Sequence, residues 1–236
     1  MTESPPDPGV SVPIQHLVVL GHPTAGSFNH SVARTYCETV RQCGQRAELR
    51  DLYAIGFDPL LNPGERRGAA RTRLPRDVKQ ELGYLADSAI VTLIYPIWFG
   101  MPPAIIKGYV DRVFGAGFVA RSIKEGSIDS ALHGKRLMMF STSASTRCWL
   151  EEQGQWLALR RAFDTYLATI FGMVRSDHVH FDSIVDGLDP RAANEALAVV
   201  REKTRAMCAL LLQARHQHYA QHLMQRSTGP ASAGAA

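Results

Sequence analysis

The run Ala89-Ile90-Val91-Thr92-Leu93-Ile94-Tyr95, closed by Pro96, is uninterrupted by charge and rich in β-branched residues. A strand with one wet face alternates apolar and polar residues. A run without alternation, too short for a helix, has the pattern of a strand covered on both faces. Ile14 to Leu20, bounded by Pro13 and Gly21, is a second run of this kind. Behind it Val32, Tyr36, Val40 and Cys43 recur at helical spacing, with Ser27 and Asn29 as alternative N-caps and Gly44 as the stop. Ala47 to Leu52 reads as another strand, Asp58 to Pro75 as a long excursion rich in Pro, Gly and Arg, and Val78 to Ala86 as a helix.

On the C-terminal side, Pro102 and Pro103 suit the first turn of a helix, where a missing N–H costs nothing. Ile106, Tyr109, Val110 and Val113 give it an apolar face, and Gly115 is expected to close it. Arg136 to Ser141 is a fourth strand, Trp156 to Phe171 a helix and Val174 to Phe181 a fifth strand, after which Asp189 and Pro190 open a last helix. Five strands alternating with helices specify an α/β fold. It is a doubly wound parallel sheet with right-handed crossovers and the expected order 2-1-3-4-5. We expect one domain over residues 14–226, flanked by a disordered N-terminal segment, 1–13, and a small polar tail, 227–236.

Composition narrows the function classes. Of 236 residues, 45% are hydrophobic and 20% charged, ordinary for a globular chain. The net charge of +4 is dispersed and no aromatic-basic stacking motif accompanies it, so no nucleic-acid partner is expected. One dense stretch, Arg66, Arg67, Arg71, Arg73 and Arg76, reads as a solvated loop or a contact for a phosphate-bearing ligand. No run is long enough for membrane insertion, and Met1 to Pro13 is acidic and proline-rich, unlike a secretory signal; the expected location is cytoplasmic. The four cysteines lack metal-site spacing.

In such sheets ligands bind beyond the carboxyl ends of the strands, which directs attention to three loops. Gly21 to Asn29 runs into a helix N-terminus, where free N–H groups favour a phosphate or pyrophosphate. Ser27 and Asn29 add polar contacts and His22 a further donor, although Ser27 also suits a plain cap. Pro96-Ile97-Trp98-Phe99-Gly100-Met101 sets an aromatic pair beyond the buried strand, suited either to flanking a flat conjugated ring or to core packing. Ser141 to Ser145 combines hydroxyls with small residues that let backbone approach a ring edge. One anion site and two ring-edge loops at one sheet end fit a flavin nucleotide.

Three segments carry a resemblance to a known family. They are the His22 to Asn29 loop ending Ser-Phe-Asn, Asp51-Leu52-Tyr53-Ala54 with Phe57 and Pro59, and Pro96-Ile97-Trp98-Phe99 leading through Pro103-Ala104-Ile105-Ile106-Lys107-Gly108 to Arg112-Val113-Phe114. The chain resembles the NAD(P)H:quinone oxidoreductases of the DT-diaphorase type from roughly Gln15 to Phe181. The resemblance implies a flavodoxin-like fold and a homodimer. It also implies bound FAD, or FMN in some relatives, and two-electron ping-pong transfer from NAD(P)H to a quinone-like acceptor. It places His22, Ser27, Phe28 and Asn29 around the flavin phosphates. Pro96, Ile97, Trp98 and Phe99 then lie along the isoalloxazine, and Thr142, Ser143 and Ala144 at its pyrimidine edge.

The chain departs from that pattern in three places. Thr142-Ser143-Ala144-Ser145 stands where close members have a Thr-Gly-Gly-like loop. The Tyr and His that some members use to handle charge on the reduced flavin have no match between Thr146 and Trp156, so the catalytic acid or base is unknown. The tyrosines that members carry in the loop after Phe114 are also unmatched, since Phe118 is followed by Val119, Ala120, Arg121 and Ser122. An electron carrier, or a regulatory subunit with a structural flavin, is the alternative class. His178 and His180 share one face of the fifth strand and read as structural, as do His216, His218 and His222 near the C-terminus; no metal is expected. Trp156 reads as core or interface packing.

Overall fold

The structure is a computed structural model that describes residues 12–65, 74–116 and 130–227, with side chains to residue 221. Most of the expected segment 1–13, four arginines of the basic stretch (Arg66, Arg67, Arg71 and Arg73), the Phe118 to Ser122 loop and all but Ser227 of the tail lie outside the described residues.

Five strands form one parallel sheet: β1 (Gln15–Leu20), β2 (Arg46–Asp51), β3 (Ile90–Pro96), β4 (Arg136–Thr142) and β5 (Val174–Phe181). Their order is β2-β1-β3-β4-β5, as the sequence pattern implies. Every residue of β3 is buried, whereas β2, an edge strand of composition RAELRD, contains no buried residue. The apolar content of each strand thus matches its distance from the sheet edge.

Side-chain parity splits the core in two. Val18, Leu20, Ile90, Ile94, Met138 and Phe140 face α1 (Phe28–Gln42) and the long C-terminal helix, through Val32, Tyr36, Val40, Val200, Met207 and Leu211. Their odd-numbered neighbours Leu17, Val19, Val91, Leu93, Tyr95, Leu137 and Met139 face the opposite layer. That layer holds α2 (Arg76–Asp87) and α3 (Ala104–Tyr109), which continues as a π-type turn over Val110–Phe114. It also holds a helical run after β4: α4 (Arg147–Glu152), α5 (Gln155–Leu159), a π-type turn over Arg160–Thr165, and α6 (Tyr166–Ile170). The C-terminal helix, α7, spans Pro190–Ser227.

Two expectations need correction. Gly115 does not end the helix after α3: it keeps right-handed helical dihedrals (φ −62°, ψ −32°) and Ala116 is also helical. Glycine permits a helix stop without enforcing one. Pro96 does not lie beyond β3 but is its last residue, paired with Thr142, at a strand end where its missing N–H is tolerated.

The excursion after β2 is tied down by buried charge. Arg112, 3% exposed, donates to the Glu65 carboxylate (Nη2 to Oε1 2.7 Å) and to Asp77 Oδ2 at 2.7 Å. Gly108 lets this excursion lie against α3, because a Cβ there would collide with Pro59. Burial alone raises the Glu65 and Asp77 carboxyls, but hydrogen bonds and charge from Arg112 outweigh it and leave both below their ordinary values. Groups depressed in the folded state contribute stability above their unfolded pKa and lose it as pH falls through the folded one.

Replacing Arg112 by Ala strands a buried carboxylate, so we expect about 3 kcal/mol or more of lost stability in urea unfolding at neutral pH. The difference from wild type should narrow as pH falls below the ordinary carboxylate range. A variant with an unchanged midpoint would show that the network does not hold the excursion.

Candidate functional site

The carboxyl ends of β1, β3 and β4 open into a cleft of ≈ 610 Å³, within the ~300–1,000 Å³ of ordinary ligand sites. It brings together His22, Ser27, Phe28, Asn29, Pro96, Ile97, Trp98, Thr142, Ser143 and Ala144. Phe99 is not among them. Its side chain is fully exposed and borders a smaller adjacent cleft of ≈ 310 Å³ with Gly100, Ser143, Ala144, Trp149 and Gln155.

The separation of Trp98 from Phe99 has a backbone cause. Trp98 and Met101 exchange N–H···O bonds of 3.0 and 3.1 Å around Phe99 (φ 49°) and Gly100 (φ 80°). Two central residues at positive φ describe a type I′ turn, which sends Trp98 and Phe99 in different directions. Trp98 is 42% exposed, so neither aromatic is core, and its ring centroid lies 6.0 Å from that of His22.

The first loop ends at Ser27, the N-cap of α1, whose hydroxyl makes no cap bond and instead meets His30 Nδ1 at 2.8 Å. His30 Nε2 in turn meets Asp51 Oδ2 at 3.1 Å, tying the loop to the end of β2. Asn29, an alternative cap by sequence, sits inside the helix and is 3% exposed. Its Nδ2 donates to Thr142 Oγ1 at 2.9 Å, joining the first loop to the third, while its buried Oδ1 has no partner among the described residues. Burial pushes the His22 imidazole below its ordinary value. Its Nδ1 lies 3.1 Å from Thr24 N and 3.3 Å from Thr24 O, so the ring is tied to its own loop through Nδ1 and turns Nε2 away from that contact.

Among the polar groups at the cleft are Nε2 of His22, the hydroxyl of Thr142, whose oxygen accepts from Asn29, and the buried Oδ1 of Asn29. The first N–H groups of α1 add an anion site. A flat ring with donors and acceptors on one edge and a phosphate on its tail fits this set. The Ser143 N–H does not join it, because it is committed to Phe181 O at 3.0 Å.

A profile of the flavodoxin-like fold family matches residues 15–207. The chain belongs to that family. It is 29% identical to an "Uncharacterized NAD(P)H oxidoreductase" of Haemophilus influenzae over 202 residues, which is 84% of this chain and 98% of that one. Among solved structures it resembles an NAD(P)H:quinone oxidoreductase from Methanothermobacter marburgensis (TM-score 0.70, 22% identity, 83% of this chain and 96% of that one). It also resembles an FMN-dependent NADH-azoreductase from Bacillus anthracis in complex with FMN (TM-score 0.60, 16% identity, 83% and 99%).

Sequence reasoning missed two parts of this cleft and its supports. The cleft is also walled by Ile184 to Leu188, the loop after β5, which the strand-end rule would have included had it been applied to the fifth strand. His30 was hidden because its partners Ser27 and Asp51 come from different elements. Among the described residues no cluster of three or more His, Cys, Asp or Glu is placed to hold a metal ion. Among them too, no helix is long and apolar enough to cross a membrane.

Gly100 is the constrained point of the Trp98 turn: its φ is positive and an added Cβ would collide with Gln155. Gly100→Ala is expected to cost about 1–2 kcal/mol of stability and to shift the Trp98 emission. Wild-type stability and fluorescence together would show that this turn does not fix the indole.

Proposed function

We propose that the chain is a flavin-dependent NAD(P)H:quinone-type oxidoreductase working by a two-electron ping-pong cycle. The observation that carries this reading is the set of unspent polar groups on Asn29, Thr142 and His22, gathered beside an anion-binding helix end and an exposed Trp98. Likeness to the Haemophilus influenzae NAD(P)H oxidoreductase over nearly its whole length supports the nicotinamide side, and likeness to the Methanothermobacter marburgensis NAD(P)H:quinone oxidoreductase supports a quinone-like acceptor. Flavin, when bound, supplies the hydride chemistry.

The residues divide the work by position. The backbone N–H groups of Phe28 and Asn29 at the start of α1, in the loop that Ser27 ends, hold the phosphate end, with His22 as an additional donor. Pro96, Ile97 and Trp98 lie along the ring, and Thr142, Ser143 and Ala144 meet its pyrimidine edge. Positioning of nicotinamide and then acceptor against the ring is the protein's main contribution. We assign FAD on the resemblance around Asp51 to Pro59, FMN being the alternative that the Bacillus anthracis complex supports. A cytoplasmic homodimer completes the reading.

Purified protein should be yellow and should bleach on adding NADH or NADPH, and mass spectrometry of the released cofactor should give FAD. Release of FMN alone shortens the ligand, and failure to bind any flavin on reconstitution overturns the proposal. A flavin insensitive to both nucleotides points instead to an electron carrier or regulatory subunit. Light scattering should give a dimer; an active monomer removes that part.

Trp98→Ala should weaken flavin binding by about 1–3 kcal/mol, the scale of a lost buried aromatic contact, and slow flavin reduction in saturated protein. Because the indole is half-exposed, the melting temperature should hardly move. Unaltered binding and reduction beside a large stability loss would remove Trp98 from the site.

A further inference from the structure

A chain of five polar side chains runs from the core to the cleft wall. Asp164 Oδ2 lies 2.7 Å from His178 Nδ1; His178 Nε2 lies 2.7 Å from Ser141 Oγ; Ser141 Oγ lies 2.9 Å from His180 Nδ1; and His180 Nε2 lies 3.1 Å from Ser143 Oγ. Asp164 and Ser141 are 1% and 0% exposed. Asp164, His178 and Ser141 have the geometry of a nucleophile triad, but no substrate reaches a serine with no exposed surface. The outer end is different, since Ser143 borders both the main cleft and the smaller one beside it.

Counting donors and acceptors assigns the protons. Ser143 Oγ donates its one hydrogen to Ser145 O at 2.7 Å, because a carbonyl cannot donate. It therefore accepts from His180 Nε2–H. Burial foremost, with His178 adding to it, pushes His180 down to about 4, so the ring is neutral and its Nδ1 accepts the Ser141 hydrogen. Ser141 then accepts from His178 Nε2–H. His178 Nδ1 and Asp164 Oδ2 still face each other at 2.7 Å, which requires one more proton between them. Asp164 Oδ1 is buried without a partner among the described residues, so a full carboxylate charge there is poorly solvated and the shared proton relieves it.

If that proton leaves, the pairing can be kept only by reversal. His178 turns its proton to Asp164, Ser141 donates to His178, His180 carries its hydrogen on Nδ1, and the Ser143 hydroxyl turns from Ser145 to His180. Loss of one buried proton thus emerges at the cleft wall.

We propose that Asp164 and His178 store a proton that Ser141, His180 and Ser143 deliver to the acceptor oxygen during reduction. This rests on the oxidoreductase reading above. Conversion of NAD(P)H, a proton and a quinone to NAD(P)⁺ and hydroquinone consumes one hydride and one proton. Ser143 breaks its bond to Ser145 O, turns its O–H to the acceptor, gives up that proton and takes the Nε2 proton of His180. His180 Nδ1 takes the proton of Ser141, and Ser141 takes the Nε2 proton of His178. The proton shared with Asp164 stays on His178 Nδ1, and solvent later restores the one delivered.

Charged groups surround the relay from each packed element. Arg160 lies 3.7 Å from Asp164 on the π-type turn, and Asp177 on β5 is held by Lys203 of α7. Asp182 and Arg147 lie toward the His180 end, Asp182 accepting from the Arg147 N–H.

Long-range ¹H–¹⁵N spectra of histidine-labelled protein test the storage without flavin. His180 should carry its proton on Nε2 when the network is loaded and switch to Nδ1 as rising pH unloads it. A His180 tautomer that never changes, or is Nδ1–H throughout, overturns the relay, whatever the fate of the oxidoreductase reading. In flavin-loaded protein, rapid mixing of the reduced form with a benzoquinone should show a solvent deuterium isotope effect. Asp164→Asn, which keeps the shape but cannot store the proton, and Ser141→Ala, which cuts the chain, should abolish that effect and slow acceptor reduction about 10- to 100-fold, more than they slow reduction by NAD(P)H. Equal slowing of both half-reactions, or an isotope effect that survives both substitutions, overturns delivery.

Discussion

Complete burial of β3 governs the architecture. A strand with no wet face must be covered twice, and in a parallel sheet the covering is made by crossover helices. Those helices alternate sides as the chain winds outward from β1 and β3, so the loops after these strands leave in opposite directions. The gap between them is the cleft. The same constraint explains why Asn29 on α1 can reach Thr142 at the end of β4: once β1 and β4 flank β3 in register, their carboxyl ends lie two strands apart.

The fold was legible because it follows from periodicity, and the polar wiring was not because it depends on which elements meet. Continuous apolar runs mark β1 and β3 within one residue, and Val174 to Phe181 coincides with β5. The π-type turns left no such mark. Phe163 and Asp164 are both buried in the turn over Arg160–Thr165, but so are consecutive pairs such as Val32 and Ala33 in the regular helix α1, so burial periodicity does not announce the wider turn. The alternation of His178 and His180 was visible, but nothing in β5 alone shows that Ser141, one strand over, stands between the two rings.

The candidate site was legible by position more than by direction. Ten of the eleven residues named from the three loops line one cleft, since strand ends can be located without coordinates. Side-chain direction beyond a strand end depends on turn type, and nothing in Phe99-Gly100 required both residues to take positive φ. Trp156, read as packing, is indeed buried, and it packs on the imidazoles themselves, 4.9 Å from the His178 ring and 5.1 Å from the His180 ring.

The two ends of the cleft are built for different demands. At the α1 end, Ser27, His30 and Asp51 spend their polar groups on one another and fix the loop that would hold a phosphate. At the Ser143 end a buried carboxylate, two imidazoles and two hydroxyls share hydrogens that can be rearranged without breaking the chain. Leaving Asn29 Oδ1 and Asp164 Oδ1 without partners among the described residues costs on the order of 1–3 kcal/mol each, a large share of the roughly 5–15 kcal/mol that holds a domain together. A protein selected for stability alone would remove both. Both are understandable if a ligand satisfies the first, at the cleft, and a shared, transferable proton satisfies the charge of the second, in the core behind Ser143.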